Sequence, residues 1–424
     1  MRLRRYEPSI CVVAAMLAGC AGSQPPISAP GAMPEVSTQL RGDSFRVLYS
    51  FVDGRDGKGP RATLIDVNGT LYGATASGGR PGCGYGSGCG TVYSISTSGT
   101  EKVLHRFARD SDGWDPFAAL IDVDGTLYGT TRYGGDSECV ENFGCGTVYT
   151  ISTGGREKVL YRFGAYPNGT QPFAGLIEVK GTFYGTTWNG GAYQNGTVYS
   201  LSKTGVGSVL HTFASGSDGA LPYAGLIDIK GTLYGTTWGG GSGCGSSGCG
   251  TVYSISMTGV ENVLYSFAGG SDGANPNARL IDIKGTLYGT TSPFVGCGSG
   301  GGCGTVYRIS TTGAEKVLHH FGRGSDGSQP LSELIDVNGT LYGTTLTGGA
   351  ASGCGKYPSG CGTVYSISTT GDEKVLHTFN GASDGEFPSA GLTEVNGMLY
   401  GTTSAGGRGC KSSPGCGTVF SLSP

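Results

Sequence analysis

Two tryptophans, Trp188 and Trp238, each stand directly behind a Thr-Thr pair, and the matching position one segment earlier holds Arg132, followed by Tyr133. Flat aromatic faces beside a guanidinium can stack on sugar C–H faces or on planar peptide groups. The same Trp rings could equally serve as packing between neighbouring elements. The other copies of this position hold Ala76, Ser292, Leu346 and Ser404, so the aromatic character is local.

Carboxylates form the second chemical signal. A motif Asp/Asn-Gly-x-x-Pro begins at Asp56, Asp112, Asn168, Asp218, Asp272, Asp326 and Asp384. One reading is a ring of carboxylates holding a cation. The other is a turn, in which Asp caps the backbone, Gly takes positive φ and Pro sets the chain direction. A calcium ion takes at least about six oxygens, and only one loop gathers more than one acid: Asp110, Asp112 and Asp115. That trio is the metal candidate; no other metal and no cofactor is expected.

His105, His211, His319 and His377 share a slot with Tyr49, Tyr161 and Tyr265. A position exchanging His with Tyr reads as a packing or surface site, so no catalytic residue is assigned. No nucleophile elbow and no phosphate-binding Gly loop is present. Twelve cysteines fall in six local pairs: Cys83/Cys89, Cys139/Cys145, Cys244/Cys249, Cys297/Cys303, Cys354/Cys361 and Cys410/Cys416. The third segment lacks both members, as bonded partners would disappear together. No His lies in these loops, and two thiolates fall short of a tetrahedral zinc site, which leaves disulfides and an oxidising compartment.

The elements that carry these residues are written seven times. GTLYGTT or a close variant begins at Gly69, Gly125, Gly181, Gly231, Gly285, Gly339 and Gly397, and GTVY or GTVF follows each copy. Copies 50 to 58 residues apart mark a propeller or an array. In the second copy, four strands are expected at 117–123, 126–131, 147–152 and 157–163. Their Val, Ile, Tyr and Thr content fits strands, and Asp124-Gly125 fits a two-residue hairpin. Apolar residues on both faces suit sheets covered on each side, as blades are. The chain supplies a spare outer strand at 45–51 and ends on a third strand at 418–423, so the two should pair and close the ring. The expected fold is an all-β, seven-bladed propeller of four-stranded blades. Its 1–2 and 3–4 turns are tight, whereas the long loops collect on the opposite face, the candidate for recognition. The shortest of them, in the third blade, should leave a notch beside the Trp pair.

The N-terminus reads as a targeting segment: Arg2, Arg4 and Arg5, a short apolar run, then Leu17-Ala18-Gly19-Cys20. This resembles the lipobox of bacterial lipoproteins, which implies diacylglycerol on Cys20; Ala21 after it implies outer-membrane rather than inner-membrane residence. The domains are then a signal at 1–19, a Pro-rich tether at 20–43 and the repeats at 44–424. The first nineteen residues hold three Arg and one Glu, so without them the net charge moves from −3 to −5. Nothing here is basic enough for nucleic acid.

The full repeat, LIDVNGTLYGTT…GCGTVYSISTTGxEKVLHxF, resembles the GloVer-type tandem repeat of bacterial choice-of-anchor proteins, and its strand order is similar to that of kelch propellers. The resemblance implies export and envelope attachment but no catalytic residues. The expectation is a monomeric, lipid-anchored outer-membrane protein, periplasmic or surface-exposed. It would bind a glycan, peptide or protein at Trp188, Trp238, Arg132 and Tyr133. The alternative is an enzyme acting on polysaccharide, or a quinone-dependent oxidoreductase.

Overall fold

A computed structural model describes residues 45–424 except 53, 85–86, 110–111, 136–138, 140–142, 165–166, 293–302, 323, 350–353, 355–359, 382 and 411–414. The signal, Cys20, the tether, Asp110 and Cys297 therefore lie outside the described residues.

Strand-forming residues bounded by glycine turns build seven antiparallel four-stranded blades. In the second, Ile121–Val123 pairs with Thr126–Thr131, that strand with Thr147–Ser152, and that one with the outermost Glu157–Arg162. Asn68, Asp124, Lys180 and their equivalents take positive φ at the two-residue inner turns, as a type I′ hairpin needs. Ring closure is as expected: Phe45–Ser50 lies antiparallel to Thr418–Leu422 and completes the seventh blade from the other end of the chain.

One strand departs from expectation. The innermost strand is only three residues long, because the stretch before it is tied to the preceding blade. Thr130 Oγ1 donates to the Ala174 carbonyl of the next blade at 3.1 Å, and Thr186 does so to Ala224 at 3.0 Å. Residues 117–120, which precede the strand in the second blade, likewise line the central channel outside any strand.

The core lies between blades. One cluster joins Tyr72, Val92 and Phe107 of the first blade to Leu120, Leu127 and Tyr149 of the second. The repeat motif is a record of these contacts. A Cβ on Gly235 would stand 2.6 Å from the hydroxyl of fully buried Tyr253, so glycine there leaves room for the GTVY tyrosine. The second Thr of the Thr-Thr pair bonds the Thr of GTVY in every blade, as in Thr131–Thr147 at 2.8 Å. Thr147 in turn donates to the Asp112 carbonyl, latching the interblade loop.

Candidate functional site

Each interblade loop holds its residue before proline in the left-handed region: Asp115, Gln171, Leu221, Asn275, Gln329 and Phe387 have φ of 56° to 59°. The conformation is fixed from both sides. The Asp115 amide donates to Cys89 of the preceding blade at 3.1 Å, and its carbonyl accepts from the Arg132 amide at 3.1 Å. The same bond joins Trp188 to Gln171 and Trp238 to Leu221. Residues behind the Thr-Thr pair are thereby mounted on a rigid rim. Five disulfides brace the loops behind it: Cys83–Cys89, Cys139–Cys145, Cys244–Cys249, Cys354–Cys361 and Cys410–Cys416. Cys303 is also disulfide-bonded, its expected partner Cys297 being outside the described residues. In the third blade Asn195 replaces the cysteine and its carbonyl still accepts from Leu221, so the rim keeps its shape without the bridge.

Inside the rim lies a cavity of about 770 Å³ along the axis, lined by the inner segments of all seven blades. The residue after proline faces it, and this position is not repeated: Arg61, Phe117, Phe173, Tyr223, Asn277, Leu331 and Ser389 in blade order. Blades two to four therefore give an aromatic half, and the others a half that is polar except at Leu331. Phe173 and Tyr223 lie with centroids 4.8 Å apart, Trp188 meets Tyr223 at 5.6 Å and Trp238 at 5.8 Å. The Trp pair is half-buried, so it both packs on the channel aromatics and keeps open ring surface.

Charge is placed just as unevenly. Arg132 lies over Phe173 at 4.2 Å and pairs with Asp115 at 3.6 Å. Burial raises the Asp115 carboxyl, with Arg132 and Arg61 pulling it back down. Arg279 reaches Glu333 at 2.7 Å. This pair joins adjoining blades five and six along the channel wall, and glycines of the flanking blades leave it room: a Cβ on Gly391 would come within 2.6 Å of Glu333 Cγ, and one on Gly225 within 3.4 Å of Arg279 Cδ. Arg61 lies over Phe117 at 5.5 Å.

The expected residues are therefore partly assembled. Trp188, Trp238 and Arg132 converge on one basin. Tyr133 also touches Arg132, at 4.5 Å, but its ring stacks on Trp114 at 4.5 Å and lies 5.7 Å from Phe143. The Asp-Gly-x-x-Pro carboxylates do not ring the channel. Asp112 accepts from the Ala108 amide at 2.9 Å and meets His105 Nε2 at 2.7 Å; Asp218, Asp326 and Asp384 repeat this with His211, His319 and His377. They are turn caps facing the outer strand; in the expected calcium trio Asp112 meets His105 and Asp115 meets Arg132, while Asp110 lies outside the described residues. The acids that do reach the channel are the central residues of the inner strands, Asp66, Asp122, Asp282, Asp336 and Glu394, at the tight-turn end. Several cap their own hairpin, as Asp282 does with the Gly285 amide at 2.8 Å.

Sequence reading also missed a second feature. The first residue of the next outer strand, usually Glu, packs against each Asp–His or Asp–Tyr pair. In two such groups, His105/Asp112/Glu157 and His211/Asp218/Glu261, the potential ligand atoms lie within 4.8 Å of one another. Burial pushes Glu101, Glu261, Glu315 and Glu373 up to about 7. The signal was the glutamate recurring at the start of the EKVLH strand.

The fold and site together define a closed seven-bladed propeller with a single asymmetric axial basin. The Gloeobacter/Verrucomicrobia repeat matches residues 36–247 and 238–420, and the chain belongs to that family. No curated protein matches it in sequence. Among solved structures it is similar to a puromycin hydrolase S511A mutant complexed with PGG, with 13% identity and a TM-score of 0.51 over 83% of this chain and 51% of that one. Puromycin hydrolase itself matches at 12% identity and a TM-score of 0.50, over 83% and 51%. The chain thus spans about half the length of these structures, and the likeness is one of fold. XC5397 from Xanthomonas campestris, a gluconolactonase, matches at 15% identity and a TM-score of 0.41 over 89% of each chain.

Proposed function

We propose that this protein is a non-catalytic binding propeller whose ligand is a carbohydrate, held in the axial basin at the long-loop face. The observation that carries the reading is the division of the basin: Phe117, Phe173, Tyr223, Trp188 and Trp238 on one side, Asn277 and Ser389 on the other. A sugar ring has the same two characters, an apolar C–H face for stacking and hydroxyls for hydrogen bonds. The cavity volume lies within the ~300–1,000 Å³ of small-molecule sites. A peptide ligand would instead favour a continuous apolar groove or an open sheet edge. At the long-loop end the two acids, Asp115 and Glu333, are each committed to an arginine, which supports binding over catalysis at that end. The envelope setting, with Cys20 lipidated and the propeller held on its tether at the outer membrane, belongs to the same proposal. Exchanging Cys20 for Ser should then abolish metabolic palmitate labelling.

The test of the site is a glycan-array screen followed by titration of the best oligosaccharide. Trp188→Ala and Trp238→Ala should each weaken binding about tenfold, from ~1.4 kcal/mol of stacking, with the melting temperature unchanged. Unchanged affinity in both variants would remove the basin from consideration. Turnover of any polysaccharide, lost on replacing Asp115 or Glu333, would favour the enzymatic alternative.

A further inference from the structure

The cavity lining is acidic as a whole, but its charges are segregated: Arg61 and Arg279, with Arg132 beside them, stand at the long-loop end with Asp115 and Glu333. Two of these arginines are neutralised in place. Arg132 is paired with Asp115, and Arg279 with Glu333 of the adjoining blade. Arg61 is different. It is exposed, it lies over the Phe117 ring at 5.5 Å, and it has no carboxylate at ion-pair distance among the described residues. Its field still reaches the basin, where it helps hold down the Asp115 carboxyl and the Tyr223 hydroxyl. One unneutralised guanidinium therefore stands at the edge of the aromatic half, in a protein of net charge −3.

The opposite mouth has the reverse sign. Asp66, Asp122, Asp282, Asp336 and Glu394 line the channel beside the tight turns. An anion is repelled from that end and drawn to the arginines at the other. We infer that the basin is built for an acidic saccharide, a uronate-type sugar whose ring stacks among Trp188, Phe173 and Tyr223 while its carboxylate bonds Arg61. This rests on the carbohydrate reading given above. A planar guanidinium matches a carboxylate with two parallel hydrogen bonds, and such charge-assisted contacts are roughly twice as strong as neutral ones. Phe117 beneath the guanidinium holds it in place for that contact.

The experiment is a titration of the full chain with matched pairs: oligogalacturonate and oligoglucuronate, each against its methyl ester. Esterification removes the charge and leaves the ring intact. The acid should bind about tenfold tighter than the ester, and Arg61→Gln should erase that preference while leaving ester affinity unchanged. Raising the salt should narrow the gap in the unsubstituted protein and do nothing in Arg61→Gln. Equal affinity for acid and ester, with both lost in Trp188→Ala, would overturn the inference and leave the carbohydrate reading standing. Binding of an acidic peptide with no saccharide bound would overturn both. A loss of acid and ester alike in Arg61→Gln would make Arg61 a structural residue and also overturn the inference.

Discussion

Raising the pH should loosen this propeller at the seams between its blades. Glu261 stands against His211 and Asp218 of the preceding seam, and its Oε1 is buried with no hydrogen-bond partner. Burial, reinforced by Asp218 and opposed by His211, pushes its carboxyl up to about 7. Glu101 beside Tyr49, Asp56 and Arg106, Glu315 beside Tyr265 and Asp272, and Glu373 beside Asp326 reach about the same value. In the unfolded chain a glutamate titrates near ~4.3, so between there and about 7 the folded state holds more protons. Stability is therefore full below the unfolded value and falls as pH rises through the folded one. The full shift would be worth ~3.5 kcal/mol per site, but these groups are only about half buried, and screening reduces that to ~1 kcal/mol each. Four sites give ~4 kcal/mol below pH ~4.3, of which roughly half is still present at pH 5.5 and almost none at pH 8. For a fold of this size the remaining ~2 kcal/mol is a Tm lower by about 2–3 °C at pH 8 than at pH 5.5. Asp112 and Asp218 have the opposite sign. Burial works against them, yet hydrogen bonds from His105, His211 and the backbone bring their carboxyls below the usual range, so their contribution disappears only in stronger acid. Calorimetry across pH 5.5–8 is the assay, with Glu→Gln at positions 101, 261, 315 and 373 together as the control. A flat profile in the unsubstituted chain, or an unchanged slope in the control, would refute the argument.

Other perturbations test the frame. Gly235→Ala forces a Cβ to within 2.6 Å of the Tyr253 hydroxyl and should cost ~1–3 kcal/mol, read by chemical denaturation. Tyr253→Phe should be neutral or stabilising by up to ~1 kcal/mol, because that hydroxyl is buried without a partner and Phe420 fills the same slot in the seventh blade. Removing residues 44–51 exposes the edge of Thr418–Leu422 and uncovers Phe379 and Phe420; the product should aggregate or melt in two steps on a light-scattering thermal ramp. Reducing the short loop Cys244–Cys249 should cost no more than ~2 kcal/mol and leave the circular dichroism spectrum unchanged.

What could be read in the sequence was whatever the repeat holds constant. The strands at 126–131 and 147–152 appear where the pattern put them, since a Gly-bounded run of β-branched and aromatic residues has few other folds open to it. The closure of 45–50 on 418–422 followed from counting strands. The short inner strand was not legible. Residues 117–120 look like strand on propensity but line the channel unpaired, and the bond from Thr130 to the equivalent stretch of the third blade is a contact between blades that no local pattern announces. The role of the Asp-Gly-x-x-Pro acids lay between two chemistries until their partners were seen: a backbone amide and a His or Tyr seven residues earlier. The convergence of Trp188 with Phe173 and Tyr223 was invisible because these residues sit on different strands and blades, at positions that no short-range pattern links.

The repeat also explains where recognition can reside. Residues that hold the propeller together must recur, because each seam presents the same geometry: Gly235 under Tyr253, Thr131 on Thr147, Asp112 on Ala108. Seven equal seams leave no preferred direction around the axis. A ligand without sevenfold symmetry can be oriented only by positions released from the repeat. Those positions are few, and they are not scattered. The residue after proline runs from Arg61 through three aromatics to Asn277, Leu331 and Ser389. The residue two further on is small or short except at Arg279 and Glu333, and the residue behind Thr-Thr is aromatic only at Trp188 and Trp238. The first two series line the same channel, the third meets it where Trp188 and Arg132 touch Phe173, and the unusual members fall on adjoining blades. Packing does not demand that coincidence, since Ser, Thr or Gly fills the same places elsewhere in the ring. The directional ligand proposed for this basin would account for it.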